Sequence, residues 1–227
     1  MTSRPLALVT GASRGIGAAT ARALAPTHDL LLDGRDAVAL ETLAGELPGA
    51  SAWPVDLTDD GSVVAAVTAL GIERLDVLVH SAGVGLLGTV AETSPETWRR
   101  QFDVNVVAVA SLTRILLPAL RAARGDVVLV NSGAGYTARP GWGSYAASKF
   151  ALRAFGDALR AEEPDLRVTS VHPGRVDTEM QQAVVAHEGG EYDGSTYLRP
   201  GSVAAAIVGA VQATPEALVQ EIVLRPR

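Results

Sequence analysis

The sequence predicts an α/β fold: one domain on a seven-stranded, doubly wound parallel sheet with helices on both faces. Three observations lead there. Short aliphatic runs alternate with helix-like segments along the whole length. Most of those runs lack the polar alternation of a half-exposed strand, which suits strands covered on both sides. The helix-like segments open on recognisable capping residues, and a strand-helix-strand rhythm of that kind builds a parallel sheet.

The strand runs are, in order, 6–10, 30–33, 50–56, 77–80, 127–131, 168–172 and 221–224. A glycine-rich turn after the first run opens the first helix. Asp36 is placed to cap a helix over 37–47, and Asp59 one over 60–70, because a short acceptor side chain satisfies free N–H groups of a first turn. Ser94-Pro95-Glu96 combines a capping serine, a proline at the first helical position and an acid in the first turn. That helix is expected to reach about Ala123, with a break near Asp103, and to be ended by Gly125. Another helix over 143–163 is stopped by Pro164. Residues 178–199 read as an irregular insertion, and a segment of about 178–200 is expected to act as a substrate lid. No repeat, low-complexity tract or linker divides the chain, so 1–227 reads as a single unit.

Composition narrows the chemistry. Apolar residues make up 48% of the chain and charged residues 19%, enough to bury a sizeable core. A net charge of −6 offers no basic footprint for nucleic acid or an anionic membrane surface. Cysteine is absent, which excludes disulfides, cysteine-ligated zinc and thiol catalysis. The first apolar stretch is too short for a signal sequence, and no run approaches a membrane span. A soluble cytoplasmic protein is expected.

Two motifs carry the chemistry. Thr10-Gly11-Ala12-Ser13-Arg14-Gly15-Ile16-Gly17 follows the first strand and opens the first helix. Gly11 suits a tight turn, Gly15 lets backbone approach a pyrophosphate, and Gly17 allows close helix-strand packing. The helix N-terminus beyond them favours an anion. The second motif is Tyr145-Ala-Ala-Ser-Lys149. Residues at i and i+4 share a helix face, and an ammonium beside a phenol is expected to move its pKa down toward a useful range.

Together these motifs resemble the short-chain dehydrogenase/reductase family, whose fold is a single Rossmann domain. Asn105, Ser132, Tyr145 and Lys149 match the family's catalytic tetrad. Asp56-Leu57 matches its adenine-binding pair. His80-Ser81-Ala82-Gly83 stands where the family has Asn-Asn-Ala-Gly, so one amide is lost at Ser81. Pro173-Gly174-Arg175-Val176-Asp177-Thr178 matches the segment that contacts nicotinamide. The resemblance implies that Tyr145 exchanges a proton with the substrate oxygen during hydride transfer. It further implies that Lys149 lowers the tyrosine pKa and binds the nicotinamide ribose, and that Ser132 holds the substrate oxygen. Asn105 would kink its helix and bind a water leading to Lys149. Cofactor contacts would come from Gly11, Ser13, Arg14, Gly15, Ile16, Gly17, Arg35, Asp56, Leu57, Ser81, Ala82, Gly83, Pro173, Gly174, Val176 and Thr178, with Tyr145 and Lys149.

NADP (NADPH) is favoured over NAD. NAD-selective relatives carry an acid at the tip of the second strand, and that position aligns with Gly34. Asp33 lies one residue early and points to the other face. Arg35 and Arg14 suit a 2′-phosphate. A strand one residue shorter would make Asp33 the tip and reverse the preference. The substrate, a small alcohol or carbonyl compound, would be walled by 85–87, 133–142 and the lid. Tyr136, Trp142 and Tyr192 offer aromatic surface there, and Arg139 or Arg175 could meet a carboxylate. The ending Glu-Ile-Val-Leu-Arg-Pro-Arg resembles the serine 3-dehydrogenase-like subgroup. The family pairs its subunits through helices equivalent to 104–123 and 143–163, which implies a homodimer or homotetramer. The competing readings are a catalytically silent NADP(H) sensor or scaffold, and an epimerase or dehydratase.

Overall fold

A computed structural model describes residues 4–227. Its sheet has seven parallel strands in the order β3-β2-β1-β4-β5-β6-β7. The elements run β1 (Leu6–Val9), α1 (Gly15–Leu24), β2 (Asp29–Asp33), α2 (Ala37–Glu46), β3 (Ala50–Trp53), α3 (Asp60–Leu70) and β4 (Val77–His80). They continue α4 (Pro95–Phe102), α5 (Ala108–Ala123), β5 (Asp126–Val130), α6 (Gly143–Glu162), β6 (Arg167–Pro173), α7 (Glu179–His187), α8 (Pro200–Val211) and β7 (Glu221–Leu224). All seven expected strands form. The third is shorter than expected because Pro54, lacking an N–H, follows Trp53 directly.

Strand alternation splits the apolar residues between two layers. Ala7 and Val9 of β1 face one layer with Leu24 of α1, Leu40 of α2 and Ile207 of α8. Leu8 faces the other, with Val63 of α3, Leu112 and Leu116 of α5, and Leu152 of α6. Both sheet faces are therefore dry, which is why the strands read as unbroken aliphatic runs.

The caps form as their residue types dictate. Asp36 accepts from Ala39 N–H at 3.0 Å, Asp59 from Gly61 and Ser62, and Ser94 from Thr97. The expected break near Asp103 is a π-helical turn, Asp103–Val107, in which Ala108 N–H reaches Asp103 O. Helix α5 ends differently from expectation. The left-handed residue is Arg124 (φ 51°), not Gly125. A Cβ on Gly125 would lie 2.7 Å from Leu75 O, so that glycine serves close backbone approach. Arg124→Gly should therefore raise stability by about 1 kcal/mol, since glycine adopts this conformation without strain. A urea midpoint that stays put or falls would contradict that assignment.

Two further differences matter for the site. The segment expected to be irregular contains α7, capped by the Thr178 hydroxyl accepting from Gln181 N–H. Helix α8 was not anticipated, although Pro200 at its first position is a start signal. The continuous helical span Pro95–Ala123 is also long and apolar enough, by length and composition, to cross a membrane, contrary to the expectation of no such run. Its Val109, Leu112, Leu116 and Leu120 are buried against the sheet as core residues.

Candidate active site

The carboxyl ends of β1, β4, β5 and β6 open into one cavity of about 550 Å³, which Ile16, Gly83, Ser132, Tyr145, Lys149 and Thr178 all line. At its floor the loop after β1 is cramped. Gly11 (φ 64°) would place a Cβ 2.8 Å from the Ala82 backbone, and a Cβ on Gly17 would lie 2.2 Å from Gly11 O. Only glycine fits either position. Helix α1 begins without a side-chain cap, so its first-turn N–H groups are open to an anion. This cradle fits a dinucleotide: Gly11, Ser13, Gly15, Ile16 and Gly17 would hold its pyrophosphate. Thr178 closes the far side, its methyl 3.3 Å from where a Gly15 Cβ would stand.

Thr10 ties the strand ends beside Ser81, where the family's amide is lost. Its hydroxyl accepts from both Ser81 N–H and Ala82 N–H at 3.0 Å, fastening the β1 and β4 ends together. Ser81, Ala82 and Gly83 therefore lie fixed beside the loop.

The four tetrad positions are gathered. Ser132, just past β5, and Tyr145 and Lys149, on successive turns of α6, line the same cavity. Ser132 is held by Asn131, whose side chain accepts from Ser132 N–H at 2.9 Å while donating to Lys149 O at 3.1 Å. Lys149 Nζ donates to Val130 O at 3.1 Å and stands 5.9 Å from the centre of the Tyr145 ring. Asn105 sits inside the π-helical turn and is 1% exposed. Its amide pairs with Val84 N–H and C=O, each at 2.9 Å, and donates to Ser148 Oγ at 3.0 Å. A Cβ on Gly83 would lie 3.2 Å from Asn105 Oδ1 and 3.8 Å from Lys149 Nζ, so the two side chains face one small space.

At the adenosine end, Gly34 follows β2 and lies against Ser13, whose Oγ is 3.4 Å from its notional Cβ. Asp33 ends the strand but is 1% exposed, turned into the interior. Arg35 is exposed and makes no ion pair among the described residues, whereas Arg14 is held by Glu179 of α7. Asp56 accepts from Thr58 N–H and hydroxyl, bonds that hold its carboxyl below the usual range. Leu57 is half-buried beside it. Pro173 at the end of β6 and Val176 beyond it are buried, and Gly174 N–H donates to Leu224 O at 2.8 Å.

A family profile described as short chain dehydrogenase matches residues 5–189. The chain belongs to that family. It is 36% identical over 201 residues to dehydrogenase/reductase SDR family member 7B of Bos taurus, covering 82% of this chain and 62% of that protein. It thus spans less than two thirds of that relative's length. Serine 3-dehydrogenase of Agrobacterium fabrum is 34% identical over 202 residues, covering 86% of this chain and 80% of that protein. Among solved structures, an alcohol dehydrogenase from Thermococcus sibiricus complexed with 5-hydroxy-NADP superposes with a TM-score of 0.90 at 29% identity. That match covers 98% of this chain and 96% of the other.

Electrostatics in this short-chain dehydrogenase differ from the sequence expectation at one point. The Tyr145 phenol is pushed up, not down: burial dominates, and the Ser132 hydroxyl only partly opposes it. Burial also lowers the Lys149 ammonium to about 8. Both groups lose water, and an ammonium 5.9 Å from the ring centre does not offset that loss. His80 is structural. It is buried against Thr113 at 2.9 Å and lowered to about 3 by desolvation, so it stays neutral.

Sequence reasoning missed several residues that shape the site. Gln101, fully buried, fixes the 84–88 loop through Leu86 N–H and C=O and reaches Ser144. An uncharged polar residue flanked by Arg100 and Phe102 gave little signal. Of the aromatic candidates, Trp142 lines the cavity. Tyr136 instead packs on His172, and Tyr192 donates to Asp177 and packs on Tyr197. Arg175 is paired with Glu188 at 2.7 Å.

Proposed function

We propose that this chain is an NADP-dependent oxidoreductase that interconverts an alcohol and a carbonyl compound, with Tyr145 as general acid–base. The observation that carries this reading is the convergence of Ser132, Tyr145 and Lys149 on one cavity that Ile16 of the glycine-rich loop also lines, with Asn105 behind them facing the Gly83 space beside Lys149. When bound, the dinucleotide supplies or accepts hydride at its nicotinamide ring.

The chain's own residues do the rest. Ser132 and Tyr145 hold the substrate oxygen, and their hydroxyls stabilise charge developing there. Tyr145 gives its proton to that oxygen in reduction and takes one back in oxidation. Lys149 stands behind it as the charged neighbour and partner of the nicotinamide ribose. Asn105 fixes the Val84 backbone and leaves the Gly83 space where a water connects to Lys149. Pro173, Gly174, Val176 and Thr178 would flank the nicotinamide, and Asp56 with Leu57 the adenine. Residues 178–200 serve as the lid, with α7 as its rigid part. The working form is a cytoplasmic homodimer or homotetramer.

NADP is preferred because Gly34, the residue just past β2, carries no acid, Asp33 at the end of β2 is turned into the interior, and Arg35 is exposed with no ion pair among the described residues. Arg35 therefore carries this preference more than Arg14, which Glu179 already engages. NADPH and NADH oxidation across a panel of aldehydes and ketones tests the reading. Turnover with NADPH is expected, and none with either cofactor would leave a silent NADP(H) sensor as the alternative. Arg35→Ala should raise the KM for NADPH about 10- to 100-fold, the range for one charge-assisted hydrogen bond, with little change for NADH. An equal loss for both would remove the 2′-phosphate role.

A further inference from the structure

The far end of the chain enters the substrate cavity. Arg225 and Pro226, just after β7, line the same space as Ser132, Tyr145 and Lys149. Arg225 Nη1 donates to His172 O and Leu224 O, both at 2.9 Å. Its Nη2 lies over Gly133, 3.3 Å from where a Cβ there would stand, and its Cδ is 3.4 Å from the notional Cβ of Gly174. Those two glycines leave the room in which the guanidinium lies, beside the residue that follows Ser132. Nη2 has no partner among the described residues, and neither has the side chain of Arg139, which lines the same cavity from the connection between β5 and α6. The lining contains four cationic residues, Arg139, Lys149, Arg175 and Arg225, and no Asp or Glu. In a chain of net charge −6, a cavity free of acids and rich in guanidinium groups is a local reversal of sign.

We infer that the substrate is an alcohol or carbonyl compound bearing a carboxylate or phosphate group, and that Arg225, with Arg139 in the same lining, is its anion-binding residue. This rests on the dehydrogenase reading for its reaction but not for its binding. Arg225 is held in place through Nη1 by backbone carbonyls, so the Nη2 donors are presented without first breaking an ion pair. A fixed guanidinium of this kind binds an oxyanion better than a mobile ammonium does. Arg175 contributes less, because Glu188 already pairs with it.

The test uses matched probes: 3-hydroxybutanoate against 3-hydroxybutanamide, and dihydroxyacetone phosphate against dihydroxyacetone. Calorimetry on the cofactor-free protein reads binding alone. The charged member of at least one pair should bind about 10- to 100-fold more tightly than its neutral partner, and added salt should erode that margin. The pair that shows the margin distinguishes carboxylate from phosphate. In Arg225→Met the charged-to-neutral ratio should fall toward one, both in affinity and in kcat/KM. Arg227→Met, two residues further and outside the cavity, should leave the ratio where it was.

Equal affinity for charged and neutral probes in the unmodified protein, or no binding of either, overturns the inference. So does an Arg225→Met variant that loses both members equally, or one whose NADPH affinity falls in step. Turnover of dihydroxyacetone that depends on Tyr145, without any anion margin, would sink this inference and leave the dehydrogenase reading standing. An anion margin in binding without turnover of any probe would do the reverse.

Discussion

Tyr145→Phe is expected to lower kcat by about 10²- to 10⁴-fold, the range for a positioned proton donor, while NADPH affinity changes by less than about threefold. The ring itself is kept. Trp142 packs edge-on against it at 5.8 Å between centres, and a phenylalanine preserves that contact. Only the hydroxyl is lost, and with it both the proton and half of the pair that holds the substrate oxygen. The pH behaviour follows from the raised phenol. Reduction uses the protonated form, which burial maintains throughout the neutral range. Oxidation uses the phenolate, so its rate should rise with pH up to and beyond 10, the phenol's ordinary value, and the variant should lack that rise. Lys149 deprotonates near 8, so the same profile should show a second inflection there, removed in Lys149→Met. A Tyr145→Phe enzyme that retains a tenth of the original turnover, with unaltered melting, would mean that another group carries the proton.

The sequence made the scaffold legible because its determinants are local. Seven aliphatic runs, three side-chain caps and one helix-entry proline each act within a few residues, and all formed, the third strand alone ending well short of its expected bound. Asn105, where the family resemblance implies a kink, lies inside the π-helical turn that forms the expected break near Asp103. What escaped was set by packing across the sheet. Arg225 reaches the cavity only because β7 lies beside β6, and nothing near residue 225 announces it. Arg14 looked free for a phosphate until α7 brought Glu179 to it. The direction of the Tyr145 shift was misread for the same reason. The i, i+4 rule places the ammonium, but burial by the surrounding fold decides which form of the phenol is favoured. Helix α7 precedes the glycines of a segment expected to be irregular throughout, and its capping threonine was expected only as a cofactor contact.

Asp33 shows how such a buried group turns into a measurable quantity. Its carboxyl is 1% exposed, Oδ1 has no hydrogen-bond partner, and its pKa is raised to about 7 from 3.8. Burial is the main cause. The N–H groups of Gly11, Val55 and Gly34 oppose it, and the charge of Asp56 adds to it. A folded-state pKa above the unfolded one means that the native form holds its proton longer. The stability this group contributes is therefore complete below about pH 4 and is lost as pH rises to 7, roughly 4 kcal/mol over some three units. Asp33→Asn removes the titration while keeping one acceptor for the nearby N–H groups. Urea unfolding at pH 4.5, 6 and 8 should show the variant gaining on the unmodified protein at each step, by up to about 4 kcal/mol at pH 8. The buried histidines and Lys149 titrate in both proteins and cancel in the difference. Asp33→Leu should gain less, because it leaves the Gly11 N–H without an acceptor beneath the nucleotide loop. Parallel stability curves for Asp33→Asn and the unmodified chain would mean that this carboxyl is hydrated in solution and that the floor of the cofactor site is wetter than its packing implies.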